Sequence, residues 1–245
     1  MSKAQLIVAL DVDTFEEAKK LIDELESSVD IFKIGSQLFT AYGPFVTRYL
    51  QAKGKKVFLD LKFHDIPNTV ASAVRSAVSL SVPPTKMNNF APIYMLTVHT
   101  CGGQEMLEAA VKAAEEQSKK LKVKKPLIMG VTVLTSQAKE DKLQALVLER
   151  ALSAKRAKLD GVVASVEEAP LIRRYCPKGF VVVTPGIRPT GAQVGDQKRV
   201  ATPKVAIESG SNYLVVGRPI VQAENPLKAA KAIIKEISSA AYLGV

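Results

Sequence analysis

Eight short hydrophobic runs, each followed by a segment of helical character, constrain the fold of this chain more than any other feature of its sequence. The runs are rich in β-branched residues and lie at 6–12, 31–35, 56–62, 94–99, 126–134, 161–165, 180–186 and 212–218. Apolar residues recur at three- and four-residue intervals at 14–28, 68–80, 102–121, 141–157 and 225–241, which predicts helices there. Strands that are apolar along most of their length are buried on both faces, which is typical of a parallel sheet.

Eight strand–helix units in 245 residues match the usual size of a closed (β/α)8 barrel. An open, doubly wound sheet is the alternative, but the glycine-rich fingerprint of that fold is missing after the first strand. The chain has no linker, low-complexity tract or break in composition. We therefore expect residues 1–245 to form one α/β domain, a (β/α)8 or TIM barrel. The segment 81–92 contains two adjacent prolines, which forbid a helix, and is expected to be a surface excursion.

Composition excludes several classes of protein and leaves the meaning of the charge open. No apolar run approaches the roughly 20 residues of a membrane span, and the first residues lack the long apolar core of a signal peptide. Two cysteines without metal-type or disulfide spacing indicate reduced thiols in a cytoplasmic protein. The net charge of +10 fits nucleic acid, an anionic small substrate or a lysine-rich surface. The densest run, KKLKVKK at 119–125, has no interleaved aromatic residues and lies at a probable helix end, which argues against nucleic acid.

Polar residues stand at or near the carboxyl ends of the predicted strands, where barrels of this type carry their function. In chain order they are Asp11, Lys33, Asp60, Lys62, His99 and Thr135. Their charges alternate in sign, which favours a paired network over independent solvation. Asp60 and Lys62 are two residues apart on one strand, so both should point to the same face, toward the barrel mouth. Asp65 lies beyond that strand, and it could instead simply favour the positive end of the following helix.

The Asp60–Lys62 pair indicates a kind of chemistry. A lysine flanked by carboxylates stays in its charged ammonium form. An ammonium suits a proton donor, disfavours a Schiff-base nucleophile, and takes the place that a magnesium ion would need. The reaction favoured is therefore the protonation of a carbanion.

Two glycine- and arginine-containing segments predict a phosphate site. The seventh run leads into TPGIRPTGAQVGDQKR (184–199), and the eighth ends in VVGRPI (215–220). Barrels often bind phosphate with the loops after strands seven and eight. Glycine lets backbone N–H groups approach an anion, and the guanidinium groups of Arg188 and Arg218 can grip its oxygens in pairs. The substrate predicted is a phosphate monoester.

These residues together resemble the orotidine 5′-phosphate decarboxylase family. The resemblance extends from ALDVD (9–13) to VVGRPI, and DLKFHDIPNT (60–69) is similar to the family signature almost letter for letter. TPGIRP and GDQKR (195–199) are similar to the bacterial form of its phosphate loop. The resemblance implies decarboxylation of orotidine 5′-phosphate to UMP, without metal or organic cofactor, in de novo pyrimidine synthesis.

The resemblance also implies a role for each matching position. Asp11 and Lys33 would contact the ribose, Asp60 would lie against the substrate carboxylate, and Lys62 would protonate C6. Asp65 and Thr69 would reach into the site of a neighbouring subunit, so that the enzyme is an obligate homodimer with shared sites, and Ile66 would contact the substrate. Thr135 would contact the pyrimidine. The phosphate would be held by Arg188, Gln197, Gly217 and Arg218, with Gln193 in the same loop as the alternative glutamine.

Two rival functions stay open on the sequence. Sugar-phosphate decarboxylases and aldol-type synthases on the same barrel share the D-x-K-x-x-D pattern. They use magnesium, with a glutamate near the end of the second strand where this chain has Lys33. A non-catalytic barrel that binds phosphate or nucleic acid through its positive charge is the other rival.

Overall fold

The computed structural model describes residues 4–134, 142–189 and 200–242. Its eight strands are parallel and form a closed barrel in chain order, with the last strand pairing with the first. They are β1 (Gln5–Ala9), β2 (Ile31–Gly35), β3 (Lys56–Phe63), β4 (Ile93–His99), β5 (Leu127–Val131), β6 (Gly161–Val163), β7 (Val181–Thr184) and β8 (Tyr213–Val216). The predicted (β/α)8 barrel is confirmed.

Ten helices accompany the strands in the described part of the chain. They are α1 (Phe15–Leu25), α2 (Ser36–Tyr42), α3 (Pro44–Ala52), α4 (Pro67–Ser79), α5 (Gln104–Leu121), α6 (Leu143–Arg156), α7 (Ala169–Tyr175), α8 (Pro203–Glu208), α9 (Arg218–Val221) and α10 (Pro226–Tyr242). The five helices predicted from periodicity correspond to α1, α4, α5, α6 and α10. None of the described helices is long and apolar enough to cross a membrane.

Several strands end earlier than the apolar runs predict. The first run extends to residue 12, whereas β1 ends at Ala9, and the fifth extends to 134, whereas β5 ends at Val131. Leu10 and Thr132 each keep one backbone hydrogen bond to the neighbouring strand, and the chain then turns toward the helices. Beyond β5, Val133 and Leu134 line the cavity at the barrel mouth, whereas Leu10 beyond β1 is buried in the outer layer.

Two apolar layers form the core. Side chains such as Ile7, Phe58, Met95 and Met129 fill the barrel interior. A larger cluster packs between the outside of the barrel and the helices. Because side chains alternate along a strand, the residue two positions after an interior one also faces inward. This alternation places particular residues of each strand at the barrel mouth.

The excursion at 81–92 connects α4 to β4 at the amino-terminal end of the barrel, opposite the mouth. Gln51 holds its base, since its side-chain amide donates to the carbonyls of Leu80 (3.0 Å) and Ala91 (2.9 Å). Residues 84–89 are exposed. The excursion therefore does not alter the positions of the strand ends that carry the charged residues.

Candidate active site

Strand alternation brings two of the predicted charged residues into the barrel interior. Lys33 lies two residues after Ile31 on β2, and Asp60 lies two residues after Phe58 on β3; both apolar residues belong to the interior layer. Lys33 and Asp60 are only 9 % and 8 % exposed. Asp11 lies just beyond β1 and is exposed. A charged layer thus covers the apolar interior layer.

The charged side chains form a continuous network. Lys33 Nζ lies 2.9 Å from Asp11 Oδ1 and 3.8 Å from Asp60 Oδ2. Lys62 Nζ lies 2.8 Å from the same Oδ2 atom of Asp60. Positive and negative groups therefore alternate from Asp11 through Lys33 and Asp60 to Lys62. The sequence predicted this alternating, paired arrangement.

Asp60 is the most buried carboxylate of the network, and its neighbours keep it ionised. Burial alone raises its pKa. The positive charges of Lys33 and Lys62, together with hydrogen bonds from Lys62 and Thr97, outweigh burial and hold the pKa below its ordinary value. A buried negative charge therefore stands directly beside the Lys62 ammonium.

Lys62 shares a face with Asp60, as predicted, but the strand between them is not regular. The pairing of β3 with β4 shifts between Leu59 and Phe63, and Lys62 has a φ of 50°, in the left-handed region. Its backbone N–H donates to the hydroxyl of Thr97 at 2.8 Å. Sequence reasoning did not single out Thr97, which looks like an ordinary β-branched strand residue.

The opposite wall of the mouth carries the predicted phosphate residues. Arg188 follows β7 and is 8 % exposed, and Arg218 follows β8 as the first residue of α9. Burial, and then the nearby positive charge of Arg218, lower the pKa of Arg188. Two guanidinium groups held close together favour an anion between or beside them. Gly186 has a φ of 76°, a conformation that favours glycine, so it allows the chain to turn toward Arg188.

A single cavity of about 510 Å³ joins the two ends of this site. The residues that line it include the charged network and the predicted phosphate residues: Asp11, Lys33, Asp60, Lys62, Gly186, Arg188, Gly217 and Arg218. Between them lies an apolar stretch formed by Val131, Val133, Leu134, Val163 and Pro185. This volume suits one small ligand with an anionic group at one end and a flat apolar part in the middle.

A second cavity of about 690 Å³ lies next to the first and shares Asp11 and Gln222 with it. Its lining is mostly acidic and polar and includes Asp13, Glu17 and Glu24. It is larger, but Lys20 is the one cationic residue in its lining, against the carboxylates of Asp11, Asp13, Glu17, Glu24 and Glu224, so its net negative charge disfavours an anionic ligand. We therefore place the site in the first cavity.

Three predicted residues lie outside the cavity of their own chain. Asp65, Ile66 and Thr69 are exposed, with Ile66 at 66 %. Asp65 Oδ1 accepts a hydrogen bond from the N–H of Ile66 at 2.6 Å, and no side chain caps the first turn of α4. Asp65 lies directly before Ile66, the N-cap of α4, so the alternative that it favours the positive end of this helix stays open beside the role in a neighbour's site.

Two further predicted residues, Thr135 and Gln197, lie outside the described residues, as does Gln193. Groups of side chains that could bind a metal ion can be sought only among the described residues. Within 4–134, 142–189 and 200–242, no three His, Cys, Asp or Glu side chains are grouped so that they could hold a metal ion. Lys33 itself places an ammonium between Asp11 and Asp60, where a cation held by these two carboxylates would lie.

Comparisons with known proteins agree with the resemblance seen in the sequence. Residues 4–233 match the model of the family described as orotidine 5′-phosphate decarboxylase / HUMPS. The chain is 46 % identical to the orotidine 5′-phosphate decarboxylase of Moorella thermoacetica, covering 96 % of this chain and 93 % of that protein. It is 46 % identical to the enzyme of Glaesserella parasuis, with coverage of 96 % and 99 %.

A solved structure gives the same result. The crystal structure of orotidine 5′-phosphate decarboxylase from Lactobacillus acidophilus matches with a TM-score of 0.80 and 35 % identity, over 96 % of this chain and 99 % of that one. Sequence and fold therefore agree, and the chain belongs to the orotidine 5′-phosphate decarboxylase / HUMPS family.

Proposed function

We propose that this chain converts orotidine 5′-phosphate to UMP and CO₂ at the barrel mouth, with Lys62 as the proton donor. The observation that carries the proposal is the position of the Lys62 ammonium, 2.8 Å from a buried, ionised Asp60, in a cavity whose other wall holds Arg188 and Arg218. The activity itself is supported by relatives that bear this name and share nearly the whole chain.

The reaction needs stabilisation of a negative charge on carbon. The bond between C6 and the carboxylate breaks, CO₂ leaves, and the electron pair stays on C6. Lys62 then transfers a proton to C6 and regains one from solvent. Its positive charge lies where the negative charge develops, so it is a preorganised electrostatic group. Enzymes at the upper end of the range lower a barrier by about 23 kcal/mol, so no single contact accounts for the rate.

Asp60 has two roles in this proposal. It fixes the Lys62 ammonium through the contact at Oδ2, and its charge lies beside the substrate carboxylate. Two neighbouring carboxylates repel each other, and this repulsion decreases once CO₂ has left. Asp60 therefore favours the product side of the bond-breaking step while it positions the proton donor.

The remaining residues bind the substrate. We propose that Asp11 and Lys33 hold the ribose hydroxyls and that Arg188, Gly217 and Arg218 hold the phosphate. Gln197, or Gln193 in the same loop, would add a phosphate contact, and Thr135 would contact the pyrimidine. Support for the described part of this set is its grouping along one cavity, with the apolar stretch in the middle for the ring.

We also propose that the enzyme is a homodimer whose sites are shared. Asp65, Ile66 and Thr69 follow directly on the Asp60–Lys62 strand but do not line the cavity of their own chain. The support for shared sites is that the resemblance assigns these three residues to substrate, whereas their side chains are exposed outside the cavity of their own chain. In the dimer these residues would complete the mouth of the partner subunit.

Catalysis is proposed to proceed without a metal or an organic cofactor. Magnesium-dependent relatives of this barrel need a carboxylate where this chain has Lys33, and an ammonium there repels a divalent cation. Nucleic acid and membrane have no part in this proposal. A cytoplasmic location is proposed because both cysteines are free thiols, which fits a reducing compartment.

The proposal is tested by incubating the chain with orotidine 5′-phosphate and following the loss of the orotate absorbance and the release of CO₂. We expect turnover by the wild type and almost none by Lys62→Ala. Lys125→Ala is the matched control, because Lys125 pairs with Asp160 at 2.9 Å at the other end of the barrel. Near-wild-type turnover by Lys62→Ala would remove the proton-donor role.

A further inference from the structure

The hydroxyl of Thr97 lies at the junction between Asp60 and Lys62. Thr97 is on β4, two residues after the interior Met95, and is fully buried. Its hydroxyl donates to Asp60 Oδ1 at 2.9 Å and accepts from the backbone N–H of Lys62 at 2.8 Å. A threonine hydroxyl has one donor and two acceptor positions, so both hydrogen bonds can form at once.

Thr97 fixes the orientation of the Asp60 carboxylate. The two carboxylate oxygens have different partners, because Oδ1 accepts from Thr97 while Oδ2 faces Lys62 and Lys33. Rotation about the terminal torsion of an aspartate is soft, so the partners decide where each oxygen lies. If the hydroxyl is removed, Oδ1 becomes a buried acceptor that has lost a donor, and the carboxylate can turn away from Lys62.

Thr97 also fixes the backbone at Lys62. A φ of 50° is unfavourable for a lysine and persists only where the surroundings hold it. While β4 advances from Leu96 to Val98, β3 advances from Leu59 to Phe63, so the ladder is interrupted at Lys62. At this interruption the Lys62 N–H is outside the regular strand pairing, and it donates a hydrogen bond to the hydroxyl of Thr97 instead.

We infer that Thr97 is a positioning residue that holds the Asp60 carboxylate and the Lys62 backbone in the arrangement needed for proton transfer. Thr97 does not line the cavity, so it acts through its two neighbours and not on the substrate. The inference rests on the proposed role of Lys62.

The test compares three variants. Thr97→Val removes the hydroxyl at nearly constant shape, and Thr97→Ser keeps the hydroxyl. Thr47→Val is the matched control, since Thr47 is also buried and donates its hydroxyl to the carbonyl of Pro44 at 2.7 Å, on α3. We expect Thr97→Val to lower kcat about 10- to 100-fold, the range for losing a hydrogen bond to a charged group. We expect KM to change by less than about 3-fold, because no substrate contact is lost.

The pH profile separates positioning from simple destabilisation. Burial raises the pKa of Asp60, and the Thr97 hydrogen bond is one of the contacts that oppose this. Loss of this hydrogen bond raises the pKa of Asp60, so the acid limb of kcat/KM should move to higher pH in Thr97→Val. Thr97→Ser should keep kcat within about 3-fold of the wild type, and Thr47→Val should keep both kcat and the acid limb. A purely structural role would lower Tm without moving this limb.

The outcomes distinguish the inference from the proposed function. Wild-type kcat in Thr97→Val, with Lys62→Ala inactive, overturns the inference alone. Full activity in Lys62→Ala overturns the proposed role of Lys62 and, with it, the basis of the inference. If Thr97→Val does not fold, Thr97→Ala replaces it, and equal kcat values for Thr97→Ala and Thr97→Ser overturn the inference.

Discussion

Mixing two inactive variants tests the shared-site dimer in a quantitative way. Lys62→Ala removes the proposed proton donor of a chain's own site. Asp65→Ala removes a side chain that is exposed, hydrogen-bonds only to Ile66 among the described contacts, and lies outside its own chain's cavity. An exposed substitution of this kind changes stability by no more than about 0.5 kcal/mol. Loss of activity in Asp65→Ala would therefore already indicate a partner's site.

The expected recovery follows from two-fold symmetry. In a mixed dimer, one mouth carries both defects, and the other combines an intact Lys62 with an intact Asp65 of the partner subunit. Random exchange at equal concentrations makes about half of the dimers mixed, so about one quarter of all mouths regain function. With Lys62→Ala in large excess, nearly every Asp65→Ala chain has an Asp65-bearing partner. Activity per Asp65→Ala chain then rises from about half of the wild-type value toward the full value.

Orotate absorbance loss measures the recovery, after dissociation and reassociation of the mixed chains. Lys62→Ala mixed with Asp60→Asn is the control, because both changes affect a chain's own mouth and no mixed dimer has an intact site. Subunit exchange is verified with chains of two different tag lengths. No recovery despite verified exchange, or equal recovery in the control, would refute the shared site.

Three more outcomes are expected. Turnover should be undiminished by EDTA, because the Lys33 ammonium lies between Asp11 and Asp60 and would repel a divalent cation there; chelator-sensitive turnover, restored by Mg²⁺, would contradict this. Arg188→Ala raises KM about 10- to 100-fold and reduces the rise in Tm caused by UMP, since a charge-assisted phosphate contact is lost; an unchanged KM would place the phosphate elsewhere. Burial raises the pKa of Asp60, but the charges of Lys33 and Lys62 and the hydrogen bonds from Lys62 and Thr97 outweigh burial. They hold this pKa below its ordinary value of 3.8. Ionised Asp60 therefore contributes stability that is full above about pH 4 and is lost as pH falls through the lowered pKa. The difference in urea-unfolding free energy between wild type and Asp60→Asn should thus stay flat from pH 8 to 5 and fall only below pH 4; a fall already at pH 6 would contradict it.

The fold could be predicted because barrel strands are buried on both faces and therefore read as apolar runs. The ends of the strands could not, because the same residue types continue into the turns. Val133 and Leu134 are apolar like the strand before them, yet they lie past β5 and line the cavity. Burial against a ligand and burial in a sheet favour the same side chains, so hydrophobicity does not separate the two.

The shared residues show a different limit. By resemblance, Asp65 and Thr69 were assigned to a neighbour's site and Ile66 to substrate binding, and a single chain shows only that all three are exposed and outside their own cavity. A partner's contribution is a property of the assembly, so neither period nor spacing within one chain can reveal it. The exposed Ile66 adds no separate signal, since single exposed apolar side chains are common on protein surfaces.

Asp60 and Lys62 lie together as the sequence predicted, but not for the reason on which the prediction relied. A regular strand places residues i and i+2 on one face, and the prediction relied on that rule alone. In the structure the ladder is interrupted and Lys62 is left-handed, so the rule does not apply between these two residues. The Lys62 N–H donates instead to Thr97 on the adjacent strand, and we infer that this hydrogen bond helps to hold the ammonium beside Asp60. The sequence contained a signal for this contact. Thr97 lies two residues after the interior Met95 and therefore faces the same side of the strand, and a buried hydroxyl needs a polar partner. On the adjacent strand Asp60 also faces inward and accepts the hydrogen bond of the Thr97 hydroxyl, so the alternation rule applied to two strands together, and not to one, points to the group proposed to hold Asp60 and Lys62.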